Sequence, residues 1–134
     1  MRLQGWETRL ALLVEEARCR PYQLGEHDCF RMACRVVEAL TGVDRWPEFA
    51  GYRTKREALA LLARNGSSFE DAFDKLAGER IEARAARRGD LVCVQSEDGE
   101  KHLGVVTGQD AAFLAPDGIR WVPIAACTCA WRVG

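Results

Sequence analysis

Histidine is scarce: 134 residues contain only His27 and His102. Any imidazole chemistry must use one of these two positions. A strong charge of either sign is also missing, since 19 basic and 20 acidic side chains leave a net charge of −1. That balance offers no broad surface for a polyanion, so nucleic acid is not an expected partner. The one local basic stretch, Arg80 to Arg88, reads as a solvated face. No apolar run reaches the length of a membrane span, and membrane insertion is not expected. Charges at Glu7, Arg9, Glu15 and Glu16 break up the N-terminal segment, which does not read as a secretory leader. The expected location is the cytoplasm as synthesised, unless the chain leaves as part of an assembly.

Cysteine is plentiful, but its usual frameworks are absent. The six lie at positions 19, 29, 34, 93, 127 and 129. Without a leader, a disulfide framework is not expected. No pair has the C-x2-C spacing of a zinc knuckle, and two histidines cannot complete the set. No metal or other cofactor is therefore expected. The missing C-x-x-C also weighs against a thiol redox protein, because Cys29 and Cys34 are more than a helical turn apart. Cys127-Thr128-Cys129 would put both cysteine side chains on one face of a strand.

What is present is a clear change of period. Trp6, Leu10, Leu13, Val14 and Ala17 predict a helix over about residues 5–19, ended by Pro21. A second helix is expected from Cys29 to about Leu40, closed by Thr41-Gly42. It is apolar nearly all round, so it should be central and buried. Residues 43–53 form an aromatic-rich loop whose expected role is packing. Thr54-x-x-Glu57 is a capping box for a third helix, and Ser68 caps a short fourth. Strand signals follow at 80–83, 91–94, 102–107, 113–114, 119–124 and 129–133, with a hairpin turn at Asp98-Gly99. Helices first and an antiparallel sheet second make an α+β plan. One domain over 1–134 is expected, helical to about residue 78 and sheet from about 79.

The chain is organised around Gly25-Glu26-His27-Asp28-Cys29. Asp28 can cap the second helix, which leaves Cys29 at its first position. The unpaired N–H groups there favour a thiolate, so a lowered pKa and a reactive Cys29 are expected. The plain alternative for any cysteine is a small buried hydrophobe. A nucleophilic thiol needs a base, and His102 opens a strand whose partner is expected to begin near Asp90. A helix tip facing a strand start would bring Cys29 and His102 together across two layers. The plain alternative for His102 is an exposed histidine at a strand edge. His27 sits on the loop side of the cap and is expected to shape the site.

These residues carry a resemblance. Pro21-Tyr22-Gln23-Leu24-Gly25, Asp28-Cys29, Gly89-Asp90-Leu91-Val92 and His102-Leu103-Gly104-Val105-Val106 occur in the order and spacing of the papain-like NlpC/P60 superfamily. The chain resembles in particular its short phage and prophage forms found near tail genes. The resemblance implies a central buried helix packed on a C-terminal antiparallel sheet. It implies a cysteine peptidase or amidase acting on peptidoglycan stem peptides, with Cys29 as nucleophile and His102 as base and then acid. Tyr22 matches the tyrosine that lines the site near the oxyanion, where the Cys29 N–H would also act. Phage tail proteins are the implied partners, and the virion tail is the implied destination.

Three departures stand out, the first being a segment between Tyr22 and Cys29 that is shorter than usual. Phe30-Arg31 follows Asp-Cys where the superfamily usually has Ser-Gly. The strand after His102 has no polar residue to orient it, and Asp117 and Gln109 are the nearest substitutes. A tail-assembly protein that keeps the fold without useful catalysis is therefore the alternative reading.

Overall fold

The computed structural model describes residues 1–134. Four helices precede a six-stranded antiparallel sheet, an α+β fold. Helix α1 spans Trp6–Cys19 and buries Leu10, Val14 and Ala17. Helix α2 spans Cys29–Thr41. Asp28 caps its start, and Gly42, at φ +81°, closes its end by donating its N–H to the Glu38 carbonyl. Helix α3 spans Lys55–Asn65 behind the Thr54/Glu57 capping box, and α4 spans Phe69–Ala77 behind Ser68. A short 3-10 turn at Trp46–Glu48 lies in the aromatic loop, where Phe49 and Tyr52 are buried. Packing is thus the loop's main work.

Strands β1 (Glu79–Ile81), β2 (Leu91–Gln95), β3 (Lys101–Val106), β4 (Asp110–Ala115), β5 (Gly118–Pro123) and β6 (Cys129–Arg132) stand in the order β1-β6-β2-β3-β4-β5. The last strand inserts between β1 and β2, one strand in from the sheet edge. β4 is longer than the Phe113-Leu114 strand expected from sequence, because all six of its residues pair with β5.

Helix α2 lies on one face of this sheet. Its Met32, Ala33, Cys34, Val36, Val37 and Leu40 join Leu91, Cys93, Leu103, Val105 and Trp131 in the main core. Of the α2 side chains, Glu38 alone is exposed. The opposite face carries a small separate cluster of Val92, Val106, Ala111, Phe113 and Ala130. Cys129 packs on the helix side and Cys127 on the other. The expectation that both share a face fails because β6 begins only at Cys129, and Cys127 belongs to the turn before it.

The Gly-Asp motif does structural work. Buried Asp90 accepts the Arg2 guanidinium at 2.8 Å, the Val133 N–H at 3.1 Å and the Arg87 N–H at 2.9 Å. One carboxylate thereby ties both chain ends to the start of β2.

Candidate active site

The Pro21–Asp28 loop is tied down by its own residues. The Asp28 carboxylate accepts the Arg31 N–H at 2.9 Å, the Gly25 N–H at 2.8 Å and the Tyr52 hydroxyl at 2.5 Å. Gly25 has φ +85°, and a side chain there would collide with the Tyr52 carbonyl. Only glycine allows that turn and that approach together. The Tyr52 phenol is held protonated, its pKa raised by burial and by its bond to Asp28. Tyr52 was not readable as a site residue, because its role depends on a contact across 24 positions.

This loop delivers Cys29 to the first turn of α2 with its sulfur turned inward. The backbone N–H groups of Leu103, Cys29 and Phe30 all favour its anion. Burial outweighs them, helped by the nearby Asp28 charge, and pushes the thiol pKa up to about 12. The expected lowering is therefore wrong for the resting site. A helix N-terminus stabilises a thiolate, but a desolvated sulfur without a cationic partner loses more than it gains. Where the resemblance leads one to expect Ser-Gly, Phe30 packs on Phe73 and Tyr52, with ring centroids 5.2 and 5.8 Å apart. Tyr22 lies beside this pocket, and burial, then the Cys29 and Asp28 charges, raise its phenol to about 12.

The register of β3 decides where His102 points. Leu103 and Val105 pack on the helix side. Side chains alternate along a strand, so His102 and Gly104 take the other face. A side chain at Gly104 would meet the Phe113 ring there. The partner strand β2 begins at Leu91, directly after Asp90 as expected, and His102 pairs with Val94 at its hairpin end. Its Nε2 lies 3.3 Å from Ser96 Oγ and 3.9 Å from Glu100 Oε2. The position on the helix side belongs to Lys101, whose ammonium bonds Glu70 at 2.5 Å. Cys29 and His102 therefore do not face each other at rest. They adjoin through the backbone, because the Leu103 amide beside the sulfur directly follows His102.

That amide is free for a reason. Ser96–Glu100 and Val106–Asp90 backbone bonds set the β2–β3 ladder, so Leu103 turns its N–H away from β2. On its other side the pairing with β4 ends at Val105. That N–H is left to favour the Cys29 anion instead.

The other expected site residues lie elsewhere. His27 is buried: its Nε2 donates to the Ala17 carbonyl at 3.1 Å, and its Nδ1 accepts from Arg35 at 3.1 Å. Burial, the largest influence, lowers its pKa and keeps it neutral. It locks α1 to α2 and does not line the Cys29 pocket. Asp117 is exposed and paired with Arg120 at 3.1 Å, and Gln109 is exposed in the turn after β3. Neither orients His102. Ser96 does, its hydroxyl donating to Asp98 at 2.5 Å while it accepts from the imidazole. These partners come from the hairpin before the histidine, whereas the resemblance directs attention to the strand after it. Burial lowers the His102 pKa, with Arg120 and Lys55 opposing the proton and Asp98 favouring it.

A family described as a domain of unknown function, DUF6950, matches residues 1–133 of the chain. No curated protein gives a significant match. Among solved structures, the crystal structure of the NlpC/p60 domain of the peptidoglycan hydrolase SagA is similar, with a TM-score of 0.58. The likeness covers 93% of this chain and 97% of that one, at 18% identity. At that identity the likeness is one of fold, and the fold is the NlpC/P60 type.

Proposed function

The chain belongs to the DUF6950 family, and on its NlpC/P60 fold we propose a papain-like cysteine peptidase or amidase of a phage or prophage tail, acting on peptidoglycan stem peptides. One observation carries this reading: on a fold of the NlpC/P60 type, Cys29 stands at the first position of the central helix behind the Asp28 cap, where the amide directly after His102 favours its anion. Catalysis requires the His102 ring to leave Ser96 and swing round the edge of β3, open there because pairing with β4 ends at Val105, toward that sulfur. Such tightening between resting and substrate-bound geometry is common in hydrolases.

The raised thiol pKa gives that rotation its consequence. Cys29 keeps its proton until the neutral imidazole arrives to take it. The thiolate then attacks the amide carbon. The oxyanion falls to the Cys29 N–H, with the Tyr22 hydroxyl beside it. The imidazolium protonates the leaving amine as the C–N bond breaks, and water hydrolyses the thioester. Synthesis in the cytoplasm and delivery in a virion tail complete the proposal. The test is incubation with peptidoglycan fragments, read by mass spectrometry. New termini from wild type and none from Cys29→Ala support it; no product from wild type overturns it.

A second reading is favoured by His102 facing Ser96 and by the thiol at about 12. A tail protein that keeps the fold for assembly has no need of the rotation. A thiol-directed probe separates the two. In a hydrolase, Cys29 labelling changes when fragments bind; in an assembly protein it stays slow with or without them.

A further inference from the structure

The molecule holds a second pair of sulfurs, away from α2's N-terminus. Cys93 on β2 and Cys129 on β6 are direct partners in the antiparallel register. Both point to the helix side of the sheet. Opposed residues of such a pair have α-carbons about 4.5–5.5 Å apart. A disulfide spans about 4.4–6.8 Å between α-carbons, so the register brings the pair within range of one. The remaining thiols have no such partner. Cys19 is exposed on α1, Cys34 is buried within α2, and Cys127 lies on the far face.

We propose that Cys93 and Cys129 are a modification site, a thiol pair that closes reversibly into a cross-strand disulfide by exchange with a low-molecular-weight disulfide. The order of events follows from exposure. Cys129 is partly exposed and Cys93 is fully buried, so Cys129 reacts first. The neighbouring Cys93 thiol is the largest influence favouring the thiolate there, assisted by Arg80 and Thr128 and opposed by partial burial and Glu70. That thiolate attacks one sulfur of the small disulfide, the S–S bond breaks, and one thiolate leaves. Cys93 then passes its proton to that leaving thiolate. Its sulfur attacks Cys129, forming the Cys93–Cys129 bond and expelling the second thiolate, which takes a proton from water. Two protein thiols are oxidised and one disulfide is reduced to two thiols. Because the second step is internal, the mixed disulfide at Cys129 does not persist.

The experiment exposes the full chain to glutathione disulfide at mildly alkaline pH and blocks free thiols with iodoacetamide. Non-reducing digestion and mass spectrometry then map the bonds. The expected result is a Cys93–Cys129 linked peptide that disappears on reduction, while Cys19 stops at a mixed disulfide with glutathione. Cys93→Ala should trap Cys129 as its glutathione adduct, and Cys129→Ala should leave Cys93 unmodified. The wild-type mapping does not depend on either variant folding. A wild-type chain in which Cys129 remains glutathionylated, bonds to Cys127 instead, or stays free while Cys19 reacts overturns the proposal.

Discussion

At Cys29, three backbone N–H groups favour the thiolate, yet burial carries the pKa up to about 12. At Cys129 a single neighbouring thiol is the largest influence, and it lowers the pKa against a burial that is only partial. The two sulfurs lie on the same side of one sheet. Donor count does not separate them; desolvation does. A sulfur near the surface responds to one good donor. A buried sulfur keeps its proton even with several donors around it.

The harshest way to break this comparison is to remove what both pockets share. Val36→Asp buries an unpaired charge in α2, where Val36 is 0% exposed, and should cost at least about 3 kcal/mol. A denaturant midpoint near wild type would mean α2 is not the central support. Asp28→Ala is narrower. It removes an N-cap and strands the Tyr52 hydroxyl, for a loss of about 2–4 kcal/mol. Cys29 alkylation should speed up in this variant while Cys129 is unchanged; equal acceleration at both would show general loosening.

Alkylation of wild type sharpens the contrast directly. At neutral pH Cys129 should react at least about tenfold faster than Cys29. His102→Ala should leave the resting Cys29 rate unaltered, since the ring faces Ser96. A slower Cys29 in that variant would mean the imidazole already contacts the sulfur.

The smallest effect concerns pH. His27 and His102 both have lowered pKa values in the fold. The unfolded chain therefore binds more protons, and stability falls as pH drops from about 6.5 toward the folded values. Each histidine contributes no more than about 1.4 kcal/mol per pH unit. His27→Gln should flatten the slope of midpoint against pH; an unchanged slope would assign the acid sensitivity to other groups.

Helix ends were legible because their signals are local: Asp28, Thr54, Ser68 and Gly42 each act within a few residues of themselves. The α+β order and the burial of α2 were legible from periodicity for the same reason. The face of His102 was not. A strand's register is set by its hairpin, and a shift of one residue exchanges every side chain between faces. Here the Ser96–Glu100 closure puts Lys101 and Leu103 toward the helices and His102 away. The roles of His27, Tyr52 and Ser96 depend on partners brought together only by folding, such as Ala17, Asp28 and the His102 ring. The pairing of Cys93 with Cys129 is hidden likewise, since it exists only because the last strand returns to lie between β1 and β2.

The point where β4 leaves β3 has a practical consequence. The Leu103 amide hydrogen lies beyond the last β3–β4 pair, and the group it favours is the Cys29 sulfur. Its exchange rate is therefore a built-in gauge of the Cys29 thiol. A probe that draws the sulfur away should expose that single hydrogen, while the amides of Val105 and Val106, held in the sheet, keep their protection.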